Sequence, residues 1–281
     1  MKALVTGGAG FIGTNLIKRL LSDDYDVVSI DNYSTGKKEN HQDGCLYYDY
    51  DLSYNYVRDD GDRYDVIFHL AALPRIQPSF DNPLETFNAN VLSTLHILEY
   101  ARKNNIRVIY AGSSSVHGGA YKNPYTFTKW QGDKLCHMYS ELFKVPVNVC
   151  RFYNVYGPYH LTEGEYCTVV GIFERQYKNK EPLTITWDGE QRRDFTHIDD
   201  IVDGLVLTAE CKSWGLTLEL GRGKNYSINE LADMFGKDYP KEYIDRRPGE
   251  TKSTLCDTGL AYSVVGYQPR KNIEDYINKI K

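Results

Sequence analysis

Tyr125 and Lys129 stand four residues apart, a spacing that puts both side chains on one face of a helix. A free tyrosine titrates near about 10, too high for a base at neutral pH, and an adjacent ammonium favours the phenolate. Bringing it to about 7 takes roughly 4 kcal/mol, which two close cations in a semi-dry site can supply. Ser113 closes a predicted strand upstream and can donate to the oxygen whose proton the tyrosine takes. Together the three suit proton transfer to and from a hydroxyl. A Tyr-x-x-x-Lys pair alone carries little weight in a chain with 24 tyrosines, so its surroundings decide.

The elements that must position this trio begin at the first residues. Positions 2–5 read as the start of an apolar strand, 6–13 as a glycine turn (TGGAGFIG) and 14–21 as a helix. Gly7 permits the tight turn, Gly10 lets backbone approach a pyrophosphate, and Gly13 lets the helix pack close to the sheet. The helix N-terminus adds free N–H groups and partial positive charge. The spacing is Gly-x-x-Gly-x-x-Gly, not Gly-x-Gly-x-x-Gly. A second strand at 25–30 runs into Asp31, eighteen residues past Gly13, where adenosine ribose hydroxyls need an acceptor. A carboxylate there repels a 2′-phosphate, so the expected cofactor is NAD rather than NADP.

Further strands are expected at 45–48, 66–69, 107–112 and 147–151, with helices at 83–104 and 126–143. This alternation predicts an α/β fold, a Rossmann-type doubly wound parallel sheet that binds ligands at the carboxyl ends of its strands. After Gly157-Pro158 loops lengthen, and shorter helices are expected at 198–210, 228–235 and 272–280. The expected division is an NAD-binding domain at 1–157 and a smaller α/β substrate-binding domain at 158–281, with a soft boundary and an interleaved chain.

Composition narrows the function classes. The chain has 281 residues, 41% hydrophobic and 25% charged, as a soluble globular protein does. A net charge of −5 argues against a nucleic-acid partner. No apolar run is long enough for a membrane span, and the first strand starts too early to leave room for a signal peptide. The expectation is a cytoplasmic protein. Cys45, Cys136, Cys150, Cys167, Cys211 and Cys256 have neither paired nor metal-type spacing, so reduced thiols and no metal site are expected.

Nine segments together resemble a known family: TGGAGFIG (6–13), DNYSTGKKEN (31–40), HLAAL (69–73), NVLSTLHILEYA (90–101), SSSVHG (113–118), YTFTK (125–129), RFYNVYGP (151–158), RRDFTHIDD (192–200) and RRPGE (246–250). The chain is similar to the extended short-chain dehydrogenase/reductases, and among them to the NAD-dependent sugar-nucleotide epimerase/dehydratase group, nearest the UDP-hexose 4-epimerases. The resemblance covers nearly the whole chain. It implies catalytic roles for Ser113, Tyr125 and Lys129. It implies that Gly7, Gly10, Phe11, Ile12 and Gly13 meet the cofactor, Asp31 and Asn32 the adenosine ribose, and Asp51 and Leu52 the adenine. Leu70, Ala71, Ala72 and Asn90 would complete that cleft, and Lys129 would also hold the nicotinamide ribose. Ser114, Asn154, Val169, Arg193 and Arg247 would contact the nucleotide-sugar substrate, with Glu250 on its ribose. The resemblance also implies a homodimer formed by the helices at 83–104 and 126–143, through Val91, Leu95, Leu98, Trp130, Leu135, Met138 and Leu142, although the same residues could face their own sheet.

The resemblance leaves several reactions open, and two positions choose among them. Dehydratases of the group carry an Asp-Glu pair right after the catalytic Ser or Thr, and glucuronate decarboxylases a Glu. Here those positions are Ser114 and Ser115. Eliminating water needs an acid and a base beyond the tyrosine, which two serines do not provide at neutral pH. The remaining chemistry is 4-epimerisation through a 4-keto sugar, with no net redox. A dehydratase, decarboxylase or 4-keto reductase is the alternative, and a non-catalytic NAD sensor a further one. Beside the hexose 2-position the resemblance places Thr254, small enough for an acetamido group, so UDP-GlcNAc/GalNAc is expected, with or without UDP-glucose/galactose. The chain departs from the group in its short connection from Gly118 to Tyr125, which predicts a more open sugar pocket. His117 and Phe152-Tyr153 are further departures, and His197 stands where the group carries Tyr or His.

Overall fold

The computed structural model describes residues 1–55, 57 and 63–281. Strands β1 (Lys2–Thr6), β2 (Asp26–Asp31), β3 (Cys45–Asp49), β4 (Val66–His69), β5 (Arg107–Ser113) and β6 (Val147–Phe152) are parallel. Between them run α1 (Phe11–Ser22), α2 (Ile76–Asp81), α3 (Pro83–Phe87), α4 (Ser93–Asn104) and α5 (Pro124–Phe143). After β6 come β7 (Val155–Tyr156), α6 (Val169–Lys178), β8 (Leu183–Thr186), β9 (Arg192–Asp194), β10 (Thr196–His197), α7 (Ile198–Glu210), β11 (Thr217–Leu220), β12 (Asn225–Ser227), α8 (Ile228–Phe235), β13 (Lys241–Ile244), α9 (Gly259–Val265) and α10 (Ile273–Ile280).

The main sheet has seven strands in the order β11-β6-β5-β4-β1-β2-β3. Its central strands read as continuous apolar runs because helices cover both faces. On one face α1 and α7 close over Leu16, Ile17, Phe68, Ile201 and Leu205. On the other, α4 and α5 close over Leu4, Ile67, Ile97, Leu98 and Tyr139. A third core, around Tyr156, Phe173, Leu183, Ile185, Leu231 and Ile277, sits apart from the sheet. The chain crosses position 157 and then returns: α7 packs on the main sheet, and β11 pairs with β6 through Leu218↔Cys150 and Leu220↔Phe152.

The helix expected over 83–104 is interrupted. A π turn, Asn88–Leu92, joins α3 to α4. Such turns frequently mark functional sites, and this one carries Asn90. Ten elements have no counterpart in the sequence reading: α2, α6, α9 and the seven strands β7 to β13. β11 is only four residues long, too short for its alternating burial to stand out as a period. α5 begins where its cap dictates, with Asn123 Oδ1 accepting from the Thr126 N–H at 2.8 Å and Pro124 in the first turn. That start sets Tyr125 at the mouth of the helix. Val91 and Leu98 are buried in their own core, whereas Met138 and Leu142 stay exposed on α5. No helix among the described residues is long and apolar enough to cross a membrane.

Candidate active site

A cleft of about 740 Å³ opens at the carboxyl ends of the strands. Of the residues predicted for a site, all but Asn90 line it. Its cofactor wall is built from backbone. Gly7 has φ +72, and a Cβ there would stand 2.9 Å from the Ala71 amide nitrogen, so the glycine turn and the Leu70–Leu73 wall require each other's shape. A Cβ on Gly13 would lie 2.1 Å from the Gly7 carbonyl oxygen. Gly10 caps α1 without a side chain, which leaves the N–H groups at the head of that helix to the cleft. Asp31 is buried and accepts from the Ala9 N–H at 2.9 Å and the Tyr33 N–H at 2.8 Å. Each of its oxygens keeps a lone pair for a further donor. Burial pushes its carboxyl up from the ordinary range, against those two hydrogen bonds. Asn32 donates to Asp51 at 3.0 Å beside Leu52, so the expected ribose and adenine residues form one patch. A turn that side chains would block, an uncapped helix end and an acceptor at the next strand end together fit a dinucleotide.

Asn90 lies behind this wall. It is buried, and its amide bonds the Leu73 N–H at 2.8 Å, the Leu73 carbonyl at 3.2 Å and Thr128 at 3.0 Å. It ties the wall to α5 and reaches the cleft only through Leu73. His69 is likewise structural. It bonds Thr6 at 2.8 Å and Thr94 at 3.0 Å, and burial pulls its imidazole down to about 3, so it stays neutral.

The proposed catalytic trio is brought together. Tyr125 Oη donates to Ser113 Oγ at 3.2 Å, and Ser113 Oγ donates to Ser115 Oγ at 3.0 Å. Ser114 is buried beside them. Burial raises the Tyr125 phenol, while the Ser113 hydrogen bond and a nearby guanidinium, Arg75, lower it. Lys129 lies one turn along the same helix; its ammonium donates to the Ala111 carbonyl at 2.9 Å and lies over the Tyr110 ring, and burial pulls it down to about 8. One turn further, Asp133 is held by Arg151 at 2.7 Å, and Arg151 also reaches Glu219 on β11 at 3.0 Å. This network fixes α5 against β6 and β11.

The substrate wall is built from side chains on loops, on strand β9 and at the head of α6. Arg193 is mostly buried and faces Glu250 at 3.7 Å; Arg247 is exposed. Asn154, at φ +26, donates to the Asp194 carbonyl at 3.0 Å and to Thr254 Oγ1 at 3.4 Å. Val169 lines the cleft from the first turn of α6. Residues 248–251 meet the short connection before Tyr125 near its two ends. Gly118 abuts Thr251, Asn123 donates to the Gly249 carbonyl at 3.3 Å, and Gln77 donates to the Pro248 carbonyl at 2.9 Å. Residues absent from the sequence reading are Arg75, Ser115 as a partner of Ser113, and His160, which bonds Glu174 at 2.9 Å. No sequence pattern marks Arg75, because its place rests on a backbone torsion.

Comparisons with known proteins agree with this geometry. The chain matches the model of the NAD dependent epimerase/dehydratase family over residues 3–217. It is 31% identical to the UDP-glucose 4-epimerase of Mycolicibacterium smegmatis, over 99% of this chain and 97% of that one. Among solved structures it resembles the UDP-N-acetylglucosamine 4-epimerase of Methanobrevibacter ruminantium M1, with 28% identity and a TM-score of 0.92 over 99% of this chain and 96% of the other. It also resembles the UDP-glucuronic acid 4-epimerase of Bacillus cereus, solved with a fluorinated UDP-glucuronic acid and NAD, with 30% identity and a TM-score of 0.89 over 100% of both chains.

Proposed function

The chain belongs to the NAD dependent epimerase/dehydratase family, and from that premise we propose that it inverts carbon 4 of a UDP-linked hexose. The observation that carries this reading is the Tyr125–Ser113–Ser115 hydrogen-bonded chain, with serines where a dehydratase or decarboxylase would need acids. NAD is the cofactor of this family and, when bound, supplies a reversible hydride acceptor. The glycine turn at Gly7, Gly10 and Gly13 would hold its pyrophosphate, Asp31 and Asn32 its adenosine ribose, Asp51 and Leu52 its adenine, and Lys129 its nicotinamide ribose.

Tyr125 takes the proton of the carbon-4 hydroxyl, and Ser113 holds that oxygen by a hydrogen bond. The ammonium of Lys129 stabilises the Tyr125 phenolate that accepts this proton. A 4-keto sugar results; it turns about its diphosphate linkage, and Tyr125 returns the proton to the opposite epimer. Arg193, Arg247 and Asn154 hold the diphosphate and nucleoside, and Glu250 the ribose. Thr254 leaves the 2-position side open, which favours UDP-GlcNAc/GalNAc, with UDP-glucose/galactose also admitted. The exposed Met138 and Leu142 on α5 are offered to a second copy in a homodimer.

The test is incubation with UDP-, dTDP- and GDP-sugars without added cofactor, read by NMR. Equilibrium mixtures of 4-epimers are expected. Tyr125→Phe should cut turnover by about 10²–10⁴-fold and leave the protein's NAD content nearly unchanged. Wild-type turnover in that variant would remove the base assignment. A net absorbance change at 340 nm during turnover would favour an oxidoreductase instead.

A further inference from the structure

Arg75 is a charged side chain in the cleft without a carboxylate. It follows the Leu70–Leu73 wall, precedes α2 and has φ +119, a backbone value that side chains rarely adopt. Such strain persists where the surroundings over-determine it, and it gathers at functional sites. The side chain is half-buried and lines the cleft with Tyr125. Its Nε donates to the Tyr166 carbonyl at 2.9 Å, and its other N–H groups have no hydrogen-bond acceptor among the described residues. No acid pairs with it there. The titratable groups whose charge reaches it are Tyr125 and Cys167, both neutral when protonated, and burial lowers its guanidinium. Two other half-buried arginines hold acids: Arg151 holds Asp133 at 2.7 Å, and Arg193 faces Glu250 at 3.7 Å. A buried cation without a counter-charge is costly unless a ligand supplies one.

We propose that Arg75 is a specificity-determining residue that receives a carboxylate carried by the glycosyl group of the substrate, so that among sugars alike at the 2-position a uronosyl nucleotide is bound more tightly than its neutral counterpart. The inference rests on the sugar-nucleotide reading and adds to it an acidic substituent beside the reacting carbon. Position argues for the sugar rather than the diphosphate. Arg75 neighbours Tyr125, whose work is on a ring hydroxyl, whereas Arg193 and Arg247 stand on the substrate wall with Glu250. Chemistry argues for a carboxylate, because a guanidinium offers paired N–H donors that two carboxylate oxygens match. Thr254 keeps the 2-position side open in either case.

The test is calorimetric titration of the NAD-loaded protein with UDP, UDP-glucose and UDP-glucuronate, in wild type and in Arg75→Gly. Glycine adopts φ +119 without strain, so this variant should fold at least as stably as wild type. Wild type should bind UDP-glucuronate about 10- to 100-fold more tightly than UDP-glucose, as a charge-assisted pair provides. In Arg75→Gly that preference should fall to within about threefold, with UDP affinity changed by less than about twofold. Arg75→Lys should keep part of the preference. A preference that survives in Arg75→Gly, or equal wild-type affinity for the two sugars, overturns the assignment and leaves the epimerase reading standing. An equal loss for all three ligands also overturns it, because the contact would then be with the diphosphate. Wild-type protein that turns over no sugar nucleotide sinks the epimerase reading; one that binds none of the three probes sinks both.

Discussion

The two walls of the cleft are made of different material. The cofactor wall is main chain: the turn at Gly7–Gly13 touches the Leu70–Leu73 wall at closest-packing distance, and Asp31 is tied to backbone N–H groups on both sides. The substrate wall is made of the side chains of Arg193, Arg247, Glu250 and Thr254, and the loop that carries Arg247 and Glu250 is fastened by hydrogen bonds from Gln77 to the Pro248 carbonyl and from Asn123 to the Gly249 carbonyl. Backbone cannot move out of the way, whereas a side chain can rotate. One wall should therefore fail abruptly when a single carbon is added, and the other should adjust.

The sharpest way to break that contrast is Gly13→Ala. Its Cβ would lie 2.1 Å from the Gly7 oxygen and 2.6 Å from the Gly8 Cα, and neither atom can rotate away. Overpacking against main chain should cost about 3 kcal/mol or more. The expected result is protein that retains little NAD and melts many degrees lower, read by absorbance of the extracted cofactor and by calorimetry. An NAD content like wild type would show that the turn yields, and the contrast would go.

The next test is chemical. Glu174, in the third core, accepts from His160 at 2.9 Å and pairs with Lys178 at 2.7 Å. The His160 hydrogen bond, then Lys178, hold its carboxyl down at about 2. Its folded pKa lies below its unfolded value of about 4.3, so its stabilisation is full above that value and lost as pH falls toward about 2. Glu174→Gln should lose roughly 2 kcal/mol at neutral pH and flatten the acid limb of the melting temperature. NAD content at neutral pH should hold, because Glu174 itself does not line the cleft. An unchanged acid limb would take the stabilisation away from Glu174.

Thr254→Tyr probes the substrate wall itself. The added ring should lower turnover of acetylated sugars at least about tenfold more than that of plain hexoses, since added bulk in a pocket is worth about 1–3 kcal/mol. Equal effects on both sugars would remove Thr254 as the gate.

The same contrast explains what the sequence could reveal. Glycine patterns are legible because a required backbone shape leaves only one residue type, and Gly7, Gly10 and Gly13 stand where that argument puts them. The ends of α7 and α8 fall where periodicity put them, because each buries one clear apolar face, and β4 was legible as a continuous apolar run buried on both faces. β11 and α6 were not legible, since their partners lie far away in the chain. Arg75 was invisible for a stronger reason: φ +119 on an arginine contradicts local preference, and only the packed wall around it imposes that torsion. Spacing placed Lys129 on the face of Tyr125 but could not show which acceptor its ammonium finds; here that acceptor is the Ala111 carbonyl.

Gly249→Ala is the mildest test and the closest counterpart of Gly13→Ala. Here the torsion is unfavourable, φ +76, but the added Cβ would meet only Ile76 Cγ2, Phe80 Cε2 and Phe80 Cζ, at 3.2–3.3 Å. Those atoms belong to side chains at the cleft edge, and Phe80 is 41% exposed, so they have room to turn. The remaining cost is the left-handed backbone, about 1 kcal/mol. For a chain of this size that is a shift of roughly 2 °C in melting temperature. The Asn123 bond to the Gly249 carbonyl should loosen with the backbone and raise KM for a UDP-sugar severalfold, with kcat almost unchanged. Gly13 thus has an ordinary torsion and immovable neighbours, and Gly249 a strained torsion and movable ones. If the two alanine variants lost equal stability, torsion and not the nature of the neighbour would set the tolerance of this cleft.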